Sequence, residues 1–401
     1  MSLRIAIAKP DWGITGGFEL LVGELSRRLI DEGHDVRFVG PKVFELDPHS
    51  FGVTTEFVRA AAPEFLRYLQ LVQAFRSLDL HRADLVISTQ PPSYAIDHPR
   101  HLALFSHHLR CYYDLSAAMV DAGMIRDLAA HRHAETVVRD IDGQFLPKVN
   151  RILATSEEVA HRIEVFNGVT DNVGVFHAGL GFQGELPEAR QSDSFDYALC
   201  VSRHEFPKRT ELFVRAMIQA DGVPGVSVGT GGRLGELIRT ASENLSPLAN
   251  SGSAPDSDRA SWCHDVEGVA PPDLPLQVGS VRFCGFVRAG ELDDLYRGAL
   301  CVVAPAYLED YGLTAVEAMA YGKPLIVCSD GGNLVNFVED GVNGFVVEPT
   351  GEAIGEAVNR LWQDRALAAR LGGAARETAT QFTWERGMVT FRQAMEEVLA
   401  S

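Results

Sequence analysis

Short apolar runs alternate with amphipathic helical patterns along almost the whole chain. The runs of the first half, each typical of a buried strand, are RIAIAKP, DVRFVG, ADLVIST, LALFSH and RILATS. After the polar stretch ELPEARQSDSF, a second series comprises YALCVSR, GVSVGTGG, VRFCGFV, CVVAPA, PLIVCS and GFVVEP. Strands separated by helices predict parallel sheets with right-handed crossovers. The pattern therefore predicts an α/β protein of two doubly wound, Rossmann-like domains that face each other across a cleft, a common place for a ligand.

The domain boundaries follow from this division. The first domain is predicted to span residues 1–188 and the second to span 194–381. The last 20 residues, 382–401, read as an amphipathic helix that we expect to pack back on the first domain. Residues 241–279 interrupt the second series with many Ser, Pro and Asp residues, which predicts a flexible insertion. A lid that binds a partner or an acceptor is the alternative interpretation.

Composition narrows the class of protein. A chain of 401 residues is long enough for two domains, and its apolar content of 46% is ordinary for a globular protein. The formal charge of −18 argues against a general nucleic-acid binder, which needs a basic surface. The six cysteines show no zinc spacing and fit a reducing cytosol. No run predicts a signal peptide or a membrane span, so a cytoplasmic location is expected.

One residue breaks the apolar pattern of the helix that follows the strand CVVAPA. The core-facing positions of this helix are occupied by Leu313, Val316, Glu317 and Ala320, so a carboxylate stands where an apolar side chain is expected. A second carboxylate, Glu309, lies eight positions upstream in the turn at the end of the strand. Ligands of parallel sheets bind just outside the carboxyl ends of strands. Acceptor-only carboxylates at this place suit sugar hydroxyls, and helix amides suit a phosphate.

At these residues the chain resembles a known family. The stretch PAYLEDYGLTAVEAMAYGKPLIVCSDGG is similar to the Glu-x7-Glu region of the family 4 retaining glycosyltransferases, which have the GT-B fold. VSRHEFPKRTELFVRAM matches the family's Arg-x4-Lys segment through Arg203 and Lys208, and TGGFELLVGELSRRL resembles its Gly-Gly loop. LFSHHLRCYYDL resembles its strand-end histidine segment, best aligned at His107, with His108 as the alternative.

The resemblance implies a retaining transfer of a sugar from a nucleotide diphosphate sugar to an acceptor hydroxyl on a sugar, a lipid or a natural product. The C-terminal domain would bind the donor and the N-terminal domain the acceptor, with neither a metal nor a further cofactor. The implied catalytic residues are Glu309, His107, Arg203 and Lys208. The implied donor-binding residues are Gly16, Gly17, Gly229, Leu313, Thr314 and Glu317.

The chemistry of the transfer agrees with these residue types. A diphosphate leaving group gains negative charge as the glycosidic bond breaks, and cations and oriented amides stabilise that charge when no metal does. The segment departs from the family in two places. Asp310 stands where many members have glycine, and Asn333 and Asn336 are the polar residues near the place of a frequent glutamate.

Four other functions are alternatives to sugar transfer. An epimerase of nucleotide sugars with the same fold would turn over donor without acceptor, and a catalytically silent scaffold would only bind. A dehydrogenase is disfavoured because GTGGRLGEL lacks the G-x-G-x-x-G spacing and no acidic residue ends a strand about twenty positions later. A phosphorylase would need a Schiff-base lysine, for which the five lysines offer no convincing candidate.

Overall fold

The computed structural model describes residues 2–13, 16–47, 62–180, 186–188, 195–220, 222–243, 258–266 and 271–401. Residues 189–194 of the polar stretch ELPEARQSDSF and two parts of the insertion, residues 244–257 and 267–270, lie outside the described residues. The chain divides into two compact units, Met1–Gly181 with Trp384–Ser401, and Phe182–Thr383.

The first unit is built on a parallel sheet. Its strands are β1 (Arg4–Ala8), β2 (Asp35–Val39), β3 (Leu85–Ser88), β4 (His101–Phe105), β5 (Arg151–Ala154) and β6 (Val173–Val175). Their order in the sheet is β2-β1-β3-β4-β5-β6, and every neighbouring pair is parallel. All residues of β3 and β4 are buried, as expected where helices cover both faces of a sheet. The predicted strands of this half are confirmed.

Helices flank this sheet. They are α1 (Gly17–Asp31), α2 (Pro63–Arg76), α3 (Ser116–Asp121), α4 (Leu128–Phe145), α5 (Glu157–Asn167) and, from the end of the chain, α14 (Trp384–Ala400). The C-terminal helix belongs to this unit because its apolar face packs beside β4 and β5. The rings of Phe391 and Phe176 lie 5.6 Å apart, and Arg392 Nη1 donates to Glu32 Oε1 at 2.8 Å.

The second unit has a mostly parallel sheet. Its strands are β7 (Tyr197–Val201), β8 (Gly225–Val228), β9 (Leu276–Val278), β10 (Val281–Gly285), β11 (Ala299–Ala304), β12 (Leu325–Cys328) and β13 (Gly344–Val347). The order is β13-β12-β11-β7-β8-β10-β9, and only the pairing of β9 with β10 is antiparallel among the described strands. The strand β9 was not predicted, because its three residues at the sheet edge carry no apolar run.

The helices of the second unit complete the βαβ pattern. They are α6 (Thr210–Gln219), α7 (Leu234–Glu243), α8 (Asp258–Trp262), α9 (Ala289–Gly298), α10 (Leu313–Ala320), α11 (Asn333–Phe337), α12 (Gly351–Gln363) and α13 (Arg365–Ala379). Of these, α8 lies within the segment 241–279. None of the described helices combines the length and apolar content needed to cross a bilayer.

The strand order decides which loops meet. Because β7 and β11 are parallel neighbours, the loop after β7 and the loop after β11 leave the sheet side by side at its carboxyl edge. The loop after β12 flanks them, since β12 pairs with the other side of β11. This edge therefore assembles residues that are about 100 positions apart in the chain.

Candidate active site

Lys208 and Glu309 form an ion pair at this edge. Lys208 ends the short 3-10 turn Phe206–Lys208 after β7, and Glu309 follows β11. Lys208 Nζ donates to Glu309 Oε2 at 2.5 Å, and the two side chains are 22% and 14% exposed. An ammonium carries three N–H donors, so Lys208 can hold Glu309 and still donate to a ligand. The structure thus brings together two residues that the sequence singled out separately.

The backbone of Glu309 is fixed from both sides. Its N–H donates to Gly331 O at 3.0 Å, and its carbonyl accepts from Asn333 N at 3.0 Å. A Cβ on Gly332 would lie 2.7 Å from the backbone N and O of Glu309, so only glycine fits there. The preceding Leu308 has a φ of +49°, a conformation that costs free energy in a non-glycine residue. Such strain beside a candidate catalytic residue persists only when the surroundings hold it in place.

A predicted catalytic residue, Arg203, follows β7, and a predicted donor-binding residue, Gly229, follows β8. Arg203 lies two residues beyond β7 and is exposed. Gly229 follows β8 with a φ of +132°, and a Cβ there would lie 1.9 Å from the carbonyl oxygen of Ser202. Gly229 N donates to Gly285 O at 2.9 Å. The glycine is therefore required by the close approach of three strand-end loops.

The N-terminus of α10 presents open amides beside the ion pair. Gly312, with a φ of +94°, caps the helix without a side-chain acceptor. Among the described residues, no acceptor contacts the amides of Leu313 and Thr314, and both residues are half-buried. Unsatisfied amides at a helix N-terminus, together with the helix dipole, favour an anion.

Glu317 lies in the second turn of α10. It is half-buried between the buried Val316 and Ala320, as the apolar pattern predicted. Tyr296 Oη donates to Glu317 Oε2 at 3.1 Å, and burial raises the pKa of the Glu317 carboxyl. Among the described residues, no arginine or lysine is paired with Glu317, so a tyrosine hydroxyl is the partner of this carboxylate.

Asn333 and Asn336, which lie where the sequence departs from the family, have different environments. Asn333 is fully buried, and its Nδ2 donates to Tyr311 O at 2.8 Å. Asn336 is exposed and donates from Nδ2 to Asn333 Oδ1 at 3.1 Å. Asn333 thus shapes the loop around α11 from within, and Asn336 is the one with an exposed side chain.

In the first unit, the adjacent histidines after β4 differ in their environments. His108 is 1% exposed, its Nε2 donates to Asn167 Oδ1 at 2.7 Å, and burial lowers its pKa to about 4. Its ring packs 4.4 Å from the ring of Tyr113. His107 is only half-buried, with Nδ1 donating to the carbonyl of His108 at 2.6 Å. His108 is therefore part of the packed framework, and His107 keeps its Nε2 for other contacts.

Gly16 and Gly17 form the exposed N-terminus of α1. Gly16 N donates to Glu19 Oε2 at 2.9 Å, and the other oxygen of Glu19 accepts from Gln90 Nε2 at 2.9 Å. Gln90 in turn accepts from Trp12 Nε1 at 3.3 Å. This network links the ends of β1 and β3 to the start of the helix, at the carboxyl edge that also carries His107.

Arg209 and Phe286 are among the residues of the second unit that the sequence did not indicate. Arg209, directly after Lys208, is buried and forms an ion pair with Asp330 in the loop after β12. A cation in a polar loop gives no periodic signal, so nothing in the pattern distinguished Arg209 from a surface residue. Phe286, at the end of β10, is 82% exposed and follows Gly285, whose carbonyl binds Gly229. An aromatic ring left in water beside the site is a candidate contact for a planar ligand.

A buried carboxylate in the first unit receives three tyrosine hydroxyls. Asp142 of α4 is 0% exposed. Its Oδ1 accepts from Tyr68 and, at 2.6 Å, from Tyr94, and its Oδ2 accepts from Tyr113 at 2.7 Å. Burial raises the pKa of Asp142 to about 6 despite these hydrogen bonds. The cluster joins α4 to three other segments of the unit.

This cluster predicts a pH dependence of stability. A carboxyl whose pKa is raised on folding binds more protons in the folded state between pH 4 and 6, so stability falls as the pH rises through that range. Because the pKa of Asp142 rises from its ordinary value to about 6 on folding, we expect the wild type to lose about 2–3 kcal/mol of stability relative to Asp142→Asn between pH 4 and 7. Urea unfolding of both proteins across this range measures the difference, because the other titrating groups cancel. A difference in unfolding free energy that does not change with pH would contradict the assignment.

Comparison with known proteins agrees with the geometry of both units. The family described as glycosyltransferase family 4 matches residues 15–180, and that described as glycosyl transferases group 1 matches residues 276–378. A D-inositol 3-phosphate glycosyltransferase from Stackebrandtia nassauensis is 32% identical over 404 residues, covering 94% of this chain and 86% of the relative. The chain belongs to glycosyltransferase family 4.

Other relatives carry the same name. The D-inositol 3-phosphate glycosyltransferase of Kribbella flavida is 25% identical and covers 98% of this chain and 94% of its own length. That of Salinispora arenicola is 30% identical over 280 residues, which span 68% of this chain and 61% of the relative. The family and the names of these relatives identify the chain as a glycosyltransferase, as the sequence predicted.

Solved structures show the fold. Sucrose-phosphate synthase from Thermosynechococcus elongatus superposes with a TM-score of 0.69 at 19% identity, over 99% of both chains. Anabaena HepE, solved in complex with UDP and glucose, gives a TM-score of 0.64 at 17% identity, also over 99% of both chains. The two parallel-sheet units are thus those of the GT-B fold, and the predicted fold class is confirmed.

Proposed function

We propose that this glycosyltransferase moves a sugar from a nucleotide diphosphate sugar to an acceptor hydroxyl and retains the configuration of the anomeric carbon. The observation that carries the proposal is the Lys208–Glu309 pair beside the open amides of Leu313 and Thr314. One place on the sheet edge then offers a cation and two amides for phosphate oxygens, and a carboxylate for sugar hydroxyls. The second unit is assigned to the donor and the first unit to the acceptor.

Each candidate site residue of the second unit is assigned a role from its position. Lys208, with the exposed Arg203, binds the diphosphate and stabilises the charge that it gains on departure. Glu309 accepts hydrogen bonds from the donor sugar, and Glu317, next to Tyr296, accepts them from the ribose. Gly229 lets the donor approach the backbone closely.

The nucleobase of the donor is assigned to the face of the Phe286 ring. This ring is exposed at the strand end next to Gly229, and an aromatic side chain offers a planar surface on which a planar base stacks. With the ribose assigned to Glu317 and the nucleobase assigned to Phe286, both parts of the nucleoside lie along the same edge of the sheet in this proposal.

In the first unit, His107 is assigned a hydrogen bond to a substrate hydroxyl. Its Nδ1 donates to the carbonyl of His108, which leaves Nε2 for a contact with the substrate. The N-terminus of α1 at Gly16 and Gly17 is assigned a contact with the donor phosphate or the acceptor. We also propose a cytoplasmic location, with which buried thiols such as those of Cys200, Cys301 and Cys328 are consistent.

Ligand-induced stabilisation tests the donor assignment. We expect UDP, GDP or ADP, or one of their sugars, to raise the melting temperature, and the matching nucleoside to have much less effect. A ligand at 100 times its dissociation constant stabilises by about 2.7 kcal/mol, which a thermal-shift screen detects. A much smaller shift in Lys208→Ala than in the wild type would support binding of the ligand at the proposed site. Equal shifts with nucleoside and diphosphate would contradict it.

Turnover with and without acceptor then separates the activities. D-inositol 3-phosphate is the first acceptor to assay, because relatives are named for it. The proposal predicts that nucleoside diphosphate is released together with a glycosylated acceptor. Conversion of the donor without any acceptor would indicate an epimerase, and binding without turnover of any donor would indicate a scaffold.

We expect turnover to need no added divalent metal. The cationic side chains of Lys208 and Arg203 and the amides of α10 are assigned the stabilisation of leaving-group charge that a metal ion gives in metal-dependent enzymes. The measurement is the initial rate before and after treatment with a chelator such as EDTA. Activity that EDTA abolishes and that manganese or magnesium restores would contradict this prediction.

A further inference from the structure

Arg209 joins three loops of the second unit through one buried guanidinium. Its side chain is 1% exposed. Nε donates to Pro305 O at 2.7 Å and Nη2 to Ala306 O at 3.2 Å, both in the loop after β11. The two terminal nitrogens also donate to both carboxylate oxygens of Asp330 after β12, with Nη1 at 2.8 Å from Oδ2. A bidentate fork of this kind fixes distance and orientation together.

The same loops carry the Lys208–Glu309 pair. Arg209 directly follows Lys208 and has a φ of +48°, the left-handed conformation that is uncommon outside glycine. Tyr307 N donates to Pro207 O at 2.7 Å, which ties the loop after β11 to the loop after β7. Leu308 N donates to Asp330 O at 3.0 Å, so Asp330 holds the residue before Glu309 through its backbone and Arg209 through its side chain.

An aromatic cluster covers the guanidinium of Arg209. The ring of Trp262 lies 5.1 Å from its Cζ, and the ring of Tyr307 lies 5.4 Å away. Trp262 is 3% exposed and also packs against Phe206, at 5.4 Å between ring centroids. Arg215 Nε donates to Asp258 Oδ1 at 2.6 Å and anchors the start of α8. The helix α8 within the segment 241–279 is therefore docked on the loops that carry Lys208 and Glu309.

We propose that Arg209, Asp330 and Trp262 form a clamp that positions Glu309 against Lys208 during sugar transfer, and that α8 belongs to the framework of the donor site. The inference rests on the proposed function, because it assigns Glu309 a role in turnover. Arg209 and Asp330 act as positioning residues through Glu309 and do not contact the reacting atoms.

The clamp is expected to affect Glu309 because the loop that carries Leu308 and Glu309 is strained. Leu308 keeps its positive φ only while its surroundings hold it, and the clamp supplies Asp330 O on one side and the bonded carbonyls of Pro305 and Ala306 on the other. Without the carboxylate of Asp330, the buried cation loses its charge partner, and the loop relaxes. A displacement of about 1 Å at a positioned group can lower a rate by about 100-fold.

The variant Asp330→Asn tests the clamp, because it keeps the shape of the side chain and removes its charge. We expect kcat to fall by about tenfold or more while the donor KM changes by less than about threefold, at a temperature where calorimetry shows the variant folded. Asp84→Asn is the matched control, since Asp84 also accepts a bidentate arginine, Arg4, but at the amino end of β3 in the first unit. We expect its kcat to equal that of the wild type. An Asp330→Asn variant with wild-type kcat would overturn the inference.

A double-mutant cycle separates positioning from a general structural effect. If Asp330 acts through Glu309, Asp330→Asn combined with Glu309→Gln loses little more than Glu309→Gln alone, within about threefold. Losses that multiply would show that Asp330 acts independently of Glu309 and would overturn the inference while leaving the proposed function intact. An unchanged kcat in Glu309→Gln alone would instead contradict the proposed role of Glu309.

Variants of Trp262 test whether α8 contributes to the framework of the donor site. Trp262→Phe keeps an aromatic ring beside Arg209, and we expect its kcat to stay within about threefold of the wild type. Trp262→Leu removes the ring, and we expect kcat to fall by about three- to tenfold with little change in the donor KM. Equal activities in the two variants and the wild type would remove α8 from the framework of the site.

Discussion

Replacing Glu309 with glutamine is expected to lower kcat by about 100-fold while the donor KM changes by less than about threefold. The change keeps the shape of the side chain but removes the charge that pairs with Lys208 and that is proposed to accept hydrogen bonds from the donor sugar. An interaction that strengthens in the transition state affects kcat when it is lost, whereas equal binding of both states affects KM. Steady-state kinetics with varied donor and saturating acceptor measures both constants.

Glu317→Gln is the companion variant. Glu317 lies on α10 with Tyr296 as its partner, at the position assigned to the ribose, which does not react. We therefore expect its donor KM to rise by about tenfold and its kcat to change little. If Glu317→Gln lowered kcat and Glu309→Gln raised KM, the two roles would be reversed.

The second large effect is expected from the cations. Lys208→Ala and Arg203→Ala should each weaken nucleoside diphosphate binding by about 10- to 100-fold, because a charge-assisted contact contributes about 1.5–3 kcal/mol. Binding of the nucleoside alone should not change, since both cations are assigned to the phosphates. Isothermal titration calorimetry of the three proteins with both ligands gives the comparison.

Lys148→Ala controls for the loss of net charge. Lys148 is an exposed lysine of the first unit, beyond the end of α4, so its removal changes the charge of the protein without altering the second unit. We expect its diphosphate affinity to match that of the wild type. Equal losses of nucleoside and diphosphate affinity in Lys208→Ala would show that Lys208 supports the fold of the site and does not bind phosphate.

The sequence could predict the strands and the loops that carry the site, because apolar runs and turns are local features. It placed Glu309 at the end of β11 and Lys208 beyond β7 from such features alone. That these two loops meet depends on β7 and β11 being neighbours, which is a matter of sheet order and came only from the family resemblance. The pattern likewise placed Glu317 on the core side of α10, but it gave no indication that Tyr296 would be its partner.

The residues that the sequence did not predict are held in place by contacts with distant parts of the chain. Arg209 reads as a surface cation until the carbonyls of Pro305 and Ala306 and the carboxylate of Asp330 are seen around it. Trp262 lies in a segment whose Ser, Pro and Asp content predicts flexibility, and its burial follows from rings that come from two other loops. The composition of a segment indicates how flexible it is on average. A single aromatic residue that packs against other rings can still fix part of that segment.

The two histidines show the same limit at shorter range. Neighbouring positions after a strand point to different sides, and the sequence could not decide which one is packed inside. The carboxamide of Asn167 and the ring of Tyr113 surround His108, which leaves His107 as the half-exposed one. The resemblance favoured the same residue, His107, for the contact with substrate.

The configuration of the product tests the central proposal most directly. With retention, a leaving phosphate oxygen takes the acceptor proton on the face from which the leaving group departs, and the protein contributes positioning and charge stabilisation. An inverting transfer needs a side-chain base on the opposite face. The measurement is the anomeric proton coupling constant in the NMR spectrum of the product, formed from an α-linked nucleotide sugar whose α and β products have distinct constants. We expect the α constant, unchanged in the product made by His107→Ala, and a β constant would contradict the proposed retention.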